Sequence, residues 1–112
     1  MADWKDKLAK DVARRALSLG NPDIMKGMQA FKNGARSKGA LEDKTRELIA
    51  LAVACTTRCE ACIATHAKEA AAAGATREEL LEAIAMTVLL NAGAATVYTS
   101  YALEAFDQFA EK

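Results

Sequence analysis

The chain has 112 residues, 52% of them apolar, and its 15 basic and 15 acidic side chains cancel to a formal net charge of zero. That length fits one domain over residues 1–112, and the balanced, scattered charge excludes an electrostatic nucleic-acid binder. Much of the apolar content is alanine, and a monomer of this size removes only about two thirds of its unfolded surface from water, so a thin core and a subunit that gains from association are expected.

The N-terminal stretch MADWKDKLAKD is charged and lacks an apolar leader region, so a cytoplasmic location is expected. Trp4, Leu8, Val12, Ala16 and Leu19 then follow one another at steps of four, four, four and three, one stripe of an amphipathic helix. Asn21 before Pro22 predicts a second helix start, an N-cap side chain followed by proline at the first helical position. Ile24, Met28 and Phe31 form its apolar face. A third helix is predicted from about Glu42, with Leu48, Leu51, Ala52 and Cys55 on one face; on that stripe Cys55 reads as a core cysteine.

A fourth helix is predicted to start near Cys59 or Glu60 and to end at Gly74, a natural left-handed stop. Thr76 and Glu79 make a capping box ahead of LLEAIAMTVLL. The apolar stretch LLEAIAMTVLLNAGAATVYTSYA holds Glu82 and several polar residues and reads as two buried helices with Gly93 inside or between them, not as a membrane span. Val and Ile recur at a helical period among alanines, so the fold class is all-α, a compact bundle of five to six helices.

All three cysteines and the only histidine lie in the run CTTRCEACIATH. At about 100° per residue, Cys59 and Cys62 stand about 60° apart around a helix, with His66 between them, so the three side chains line one face. A thiol at a helix N-terminus is favoured as thiolate by free backbone N–H groups and the positive dipole end. A CxxC pair there closes a disulfide easily and activates one thiol, and His66 can accept or relay a proton. Thiol redox chemistry is the leading reading. Ordinary buried residues are one alternative, since cysteine is often buried; a metal site is another, but structural zinc takes four ligands, often as two separated pairs, and one helical face cannot wrap a tetrahedral ion. Haem attachment would need a histidine where Ile63 stands. Arg58, before the pair, either lowers a thiol pKa or is simply solvated. Glu47 reads either as the polar edge of its helix or as a carboxylate that orients His66 and takes its proton.

The stretch from Leu41 to Gly93 resembles the alkylhydroperoxidase D-like branch of the carboxymuconolactone decarboxylase family. The branch signature is Glu, eleven residues, then Cys-x-x-Cys-x-x-x-His, and it is met by Glu47, Cys59, Cys62 and His66. The resemblance runs over about residues 22 to 105. It implies a small helical subunit with a peroxiredoxin-like, antioxidant activity that needs no cofactor and no metal. Cys62 is then the peroxidatic thiolate, and Cys59 the resolving thiol and proton donor that closes a Cys59–Cys62 disulfide. His66 and Glu47 form the proton relay. The implied partners are a hydroperoxide, a dithiol reductant (protein or small thiol) and further copies of the chain in a trimer or hexamer, with no nucleic acid and no membrane. The chain departs from the better-known member of the branch by carrying Glu60-Ala61, with no second histidine, between the cysteines, and by matching one half of that two-repeat protein. A general dithiol–disulfide oxidoreductase therefore stays open as the alternative function, and a metal-holding scaffold subunit as a lesser one.

Overall fold

The structure, a computed structural model, describes residues 2–37 and 39–111, so the two ends of the expected 1–112 domain lie outside the described residues. Five α-helices follow one another: α1 (Trp4–Ser18), α2 (Pro22–Arg36), α3 (Asp43–Thr57), α4 (Glu60–Ala72) and α5 (Arg77–Ala110). No strand forms among the described residues. The all-α expectation and its five helices stand.

The starts are chemically marked. Asp3 accepts from the Lys5 and Asp6 backbone N–H groups at the head of α1. Asn21 accepts from Asp23 N–H, with Pro22 in the first turn of α2. Thr76 and Glu79 close the capping box of α5 in both directions. Each cap satisfies donors that a helix end leaves without an internal partner.

The C-terminal ends of α3 and α4 are built alike. Residue 74 is a glycine at φ 87°, and around it Gly74 N–H donates to Ala71 O and Ala75 N–H to Ala70 O. This is a Schellman stop, as the left-handed glycine predicts. The same pair of bonds closes α3: Arg58 N–H donates to Cys55 O and Cys59 N–H to Ala54 O. Here the left-handed position is taken by Arg58, at φ 55°, with no glycine's freedom. The α3–α4 turn is consequently only Arg58 and Cys59 long.

α3 is the centre of the chain, packed against α4 and α5, while α1 packs against α4. Among the described residues the buried side chains are Leu51 and Ala54 of α3 and Ala64 and Ala70 of α4. Three of these four are alanines, which let α3 and α4 approach closely but bury little area. That is the thin core expected from composition. Cys55 is half-buried and free, so it flanks this core and is not within it. Among the described residues α2 packs extensively against no other helix, and its apolar face, Ile24, Met28 and Phe31, lies open to solvent.

Two expectations are corrected. First, the last apolar stretch forms one helix of 34 residues with Gly93 in its interior. A lone glycine costs a helix only about 1 kcal/mol relative to alanine. The nearby polar groups are satisfied internally, with Asn91 donating to Thr87 O and Thr96 to Gly93 O. Second, α5 is not buried: only its first turns rest on α3, and Val88, Leu89, Leu90, Val97, Tyr98 and Phe106 are exposed. Its best 18-residue window reaches a mean hydropathy of 1.7, so by length and composition alone α5 could cross a membrane. The isolated chain is correspondingly more open than a compact bundle. Its radius of gyration is 18.7 Å, against about 13 Å for a compact domain of this size.

Candidate redox site

The α3–α4 turn fixes the first sulfur. Cys59 is at once the residue after the left-handed stop of α3 and the N-cap of α4, so its backbone is held from both sides. Its Sγ accepts the Cys62 N–H at 3.2 Å, one of the donors that the start of α4 would otherwise leave free. Cys59 and Cys62 are joined as a disulfide, with S–S 2.13 Å and Cα–Cα 5.2 Å.

One helical turn beyond Cys62, His66 projects from α4 toward α3. Its Nδ1 stands 2.6 Å from Glu47 Oε2. Both side chains are mostly shielded, at 26% and 14% exposure. On α3, Glu47 lies one turn before buried Leu51, on the stripe that faces α4; His66 lies one turn before buried Ala70. The close packing of the small core thus sets the acid–imidazole pair. With Nδ1 engaged by the carboxylate, Nε2 is left for proton transfer. Among the described residues no direct hydrogen bond joins His66 to either sulfur. Glu47, His66 and Thr65 line an open groove of about 810 Å³, whose other walls include Arg15 of α1 and Phe31 of α2.

The four residues singled out by sequence are therefore gathered across one helix pair. Arg58 is exposed, and its visible role is in the backbone turn. The guanidinium that reaches a sulfur belongs to Arg15, whose Nη2 lies 3.7 Å from Cys62 Sγ. Sequence reasoning missed it. The available signal was the second stripe of α1, Lys7, Asp11 and Arg15 at steps of four, but nothing in the sequence says that this stripe faces α4. Lys7 makes the neighbouring contact, an ion pair with Glu60 at 2.5 Å. Hydrogen bonding to Lys7 holds the Glu60 carboxyl below its ordinary value, and the same bond holds Lys7 above its own. Lys44 and Glu79 form a similar pair at 2.9 Å that ties α3 to the start of α5. Among the described residues, no three His, Cys, Asp or Glu side chains gather as a metal-binding group.

An all-helical scaffold thus carries a CxxC disulfide at a helix N-terminus with a carboxylate–imidazole pair one turn away. Comparison with known proteins makes this more specific. The carboxymuconolactone decarboxylase family profile matches residues 22–107, and the chain belongs to that family. The alkylhydroperoxidase D-like branch, whose signature the sequence carries, is a subset of it. An uncharacterized protein of Haemophilus influenzae is 47% identical over 106 residues, 93% of each chain. The apo crystal structure of a carboxymuconolactone decarboxylase family protein from Legionella pneumophila superposes with a TM-score of 0.66 at 35% identity, covering 96% of this chain and 95% of that one. A crystal structure from Methanobacterium thermoautotrophicum gives a TM-score of 0.67 at 36% identity, covering 74% of this chain and 95% of that one.

Proposed function

We propose that this chain is a thiol-dependent peroxidase, a single-domain, cytoplasmic member of its family that reduces hydroperoxides through Cys59 and Cys62. The observation that carries the reading is the Glu47–His66 contact on the same α4 face as the disulfide. In the reduced protein the Cys62 thiolate attacks the terminal oxygen of ROOH. An S–O bond forms, the O–O bond breaks, and the leaving alkoxide takes a proton from His66 to become ROH. Cys62 is left as a sulfenic acid. Cys59 then attacks its sulfur, the S–S bond forms, and hydroxide departs with a proton as water. Glu47 fixes the imidazole by its Nδ1 and balances the charge on the protonated ring, as a carboxylate does for a general-acid histidine. An external dithiol returns two electrons and two protons to the disulfide. The thiols carry the electrons themselves, so neither cofactor nor metal takes part.

The exposed apolar side chains of α5 support association. Exposed apolar side chains in this number on one helix of a small domain call for a cover, and the occupant proposed is further copies of the chain, in a trimer or hexamer.

One observation favours a second reading, a general dithiol–disulfide oxidoreductase. The residue after Cys59 is Glu60, tied to Lys7, so no second imidazole stands between the cysteines. A rate comparison separates the two. The peroxidase reading expects reduced protein to be oxidised faster by an organic hydroperoxide than by an equal concentration of a small disulfide; the reverse order favours the exchanger.

A further inference from the structure

α1 carries a titratable group that the mechanism above does not use. Asp11 Oδ2 is a buried side-chain oxygen with no hydrogen-bond partner among the described residues. A buried acceptor left unpaired is unfavourable and calls for an explanation. Its place is specific. One turn before it, Lys7 pairs with Glu60, the residue next to Cys59; one turn after it, Arg15 reaches Cys62 Sγ. Residues four apart share a helix face, so Asp11 lies on the α1 stripe between these two contacts with the start of α4. Its neighbours Lys10 and Val12 are exposed, while Asp11 itself is partly buried.

We propose that α1 completes the redox site, with Arg15 stabilising the Cys62 thiolate and Asp11 accepting the thiol proton of Cys59 during disulfide closure. The proposal rests on the reading of Cys59 and Cys62 as a working redox pair. In the disulfide form neither sulfur carries a proton, so neither can donate to Asp11. Reduction creates an S–H donor of the kind that Oδ2 lacks. Asp11 then takes the proton from Cys59 as its sulfur attacks Cys62. The S–S bond forms, the bond from Cys62 to its leaving group breaks, and the departing hydroxide or thiolate recovers that proton from Asp11. The balance is the same for a sulfenic acid and for a mixed disulfide. The charged and titratable groups beside the pair are Arg15 at Cys62, Glu60 and Arg58 next to Cys59 in the chain, Lys7 on Glu60, and the His66–Glu47 pair one turn beyond Cys62; Asp11 and Arg14 act on Lys7. Arg15 is the one that touches a sulfur.

The test uses the full chain and needs no peroxide. Reduced protein is mixed with a small aromatic disulfide, and two steps are followed: thiolate attack and release of the second aromatic thiol on closure. Asp11→Asn is expected to leave the first step unchanged and slow the second by about 10²-fold, the lower range for a lost general base. Arg15→Gln is expected to raise the pH at which the Cys62 thiolate titrates by about one unit or more, the effect of removing an opposite charge a few ångströms away. Arg15→Lys is expected to restore most of that shift, which a merely structural arginine would not require. Closure unaffected by Asp11→Asn, or a thiolate titration unmoved by Arg15→Gln, overturns the proposal. Normal exchange with these dependences but no reaction with hydroperoxide overturns the peroxidase reading and leaves this one standing.

Discussion

His66 and Glu47 are separated by eighteen residues and meet at 2.6 Å, and what each can do depends on the other. A lone imidazole beside a thiol moves a proton without fixed direction; a carboxylate on Nδ1 selects the tautomer and directs Nε2 toward the reacting groups. Glu47→Gln keeps the shape of the pair and removes the charge. Peroxide-driven oxidation is expected to slow by about 10²-fold, the scale of a lost proton-transfer partner, with the disulfide still able to form. A steady-state rate within twofold of wild type contradicts the relay. At this scale the sequence was informative for the four signature residues, because their spacing alone places three of them on one helical face. It was silent on Asp11 and Arg15, whose roles depend on how α1 docks, and it set Cys55 deeper in the core than a half-exposed helix face allows.

The elements owe their positions to their ends. α4 is held between two Schellman stops, one at Gly74 and one at Arg58. A non-glycine residue in the left-handed region carries a penalty of about 1–2 kcal/mol, so Arg58→Gly is expected to stabilise the chain by about 1 kcal/mol after the entropy of the freer unfolded glycine is subtracted. Thermal melting measures it, and a lowered midpoint would assign the Arg58 side chain a role of its own. The docking of α1 on α4 is pH-dependent through Lys7 and Glu60. The Glu60 carboxyl is held below its ordinary 4.5, so its contribution is complete above pH 4.5 and is lost as pH falls through the depressed value. Lys7 is held above its ordinary 10.5, so its contribution is complete below pH 10.5 and is lost as pH rises through the raised value. Trp4, which shares a surface groove with Ala64, Ala67 and Ala71 of α4, reports on this docking. Its fluorescence is expected to change below the Glu60 transition and not to do so in Lys7→Met; an identical acid response in both proteins removes the ion pair from the account. Helix starts and the Gly74 stop were legible because capping chemistry is local. The continuity of α5 was not, because Gly93 signals a break that its alanine-rich surroundings override.

At the scale of the whole molecule, an 18.7 Å radius of gyration and a core of one leucine and three alanines among the described residues describe an open chain with a thin core. Composition foretold the thin core; it could not say which surface stays open, since the periodicity of α5 does not say which of its turns rest on α3. Val97→Asp, on the exposed stretch of α5, is expected to reduce the mass measured by light scattering to that of a smaller assembly and to lower the melting temperature. An unchanged mass would place the association surface elsewhere. The central claim, that Cys59 and Cys62 exchange two electrons with a hydroperoxide, is tested most directly by counting thiols and mapping disulfides before and after one equivalent of peroxide. Wild type is expected to lose two thiols per chain into a Cys59–Cys62 bond, Cys59→Ser to stop at a sulfenic acid on Cys62, and Cys62→Ser to remain unreacted. A full thiol count in wild-type protein after excess peroxide would contradict the account.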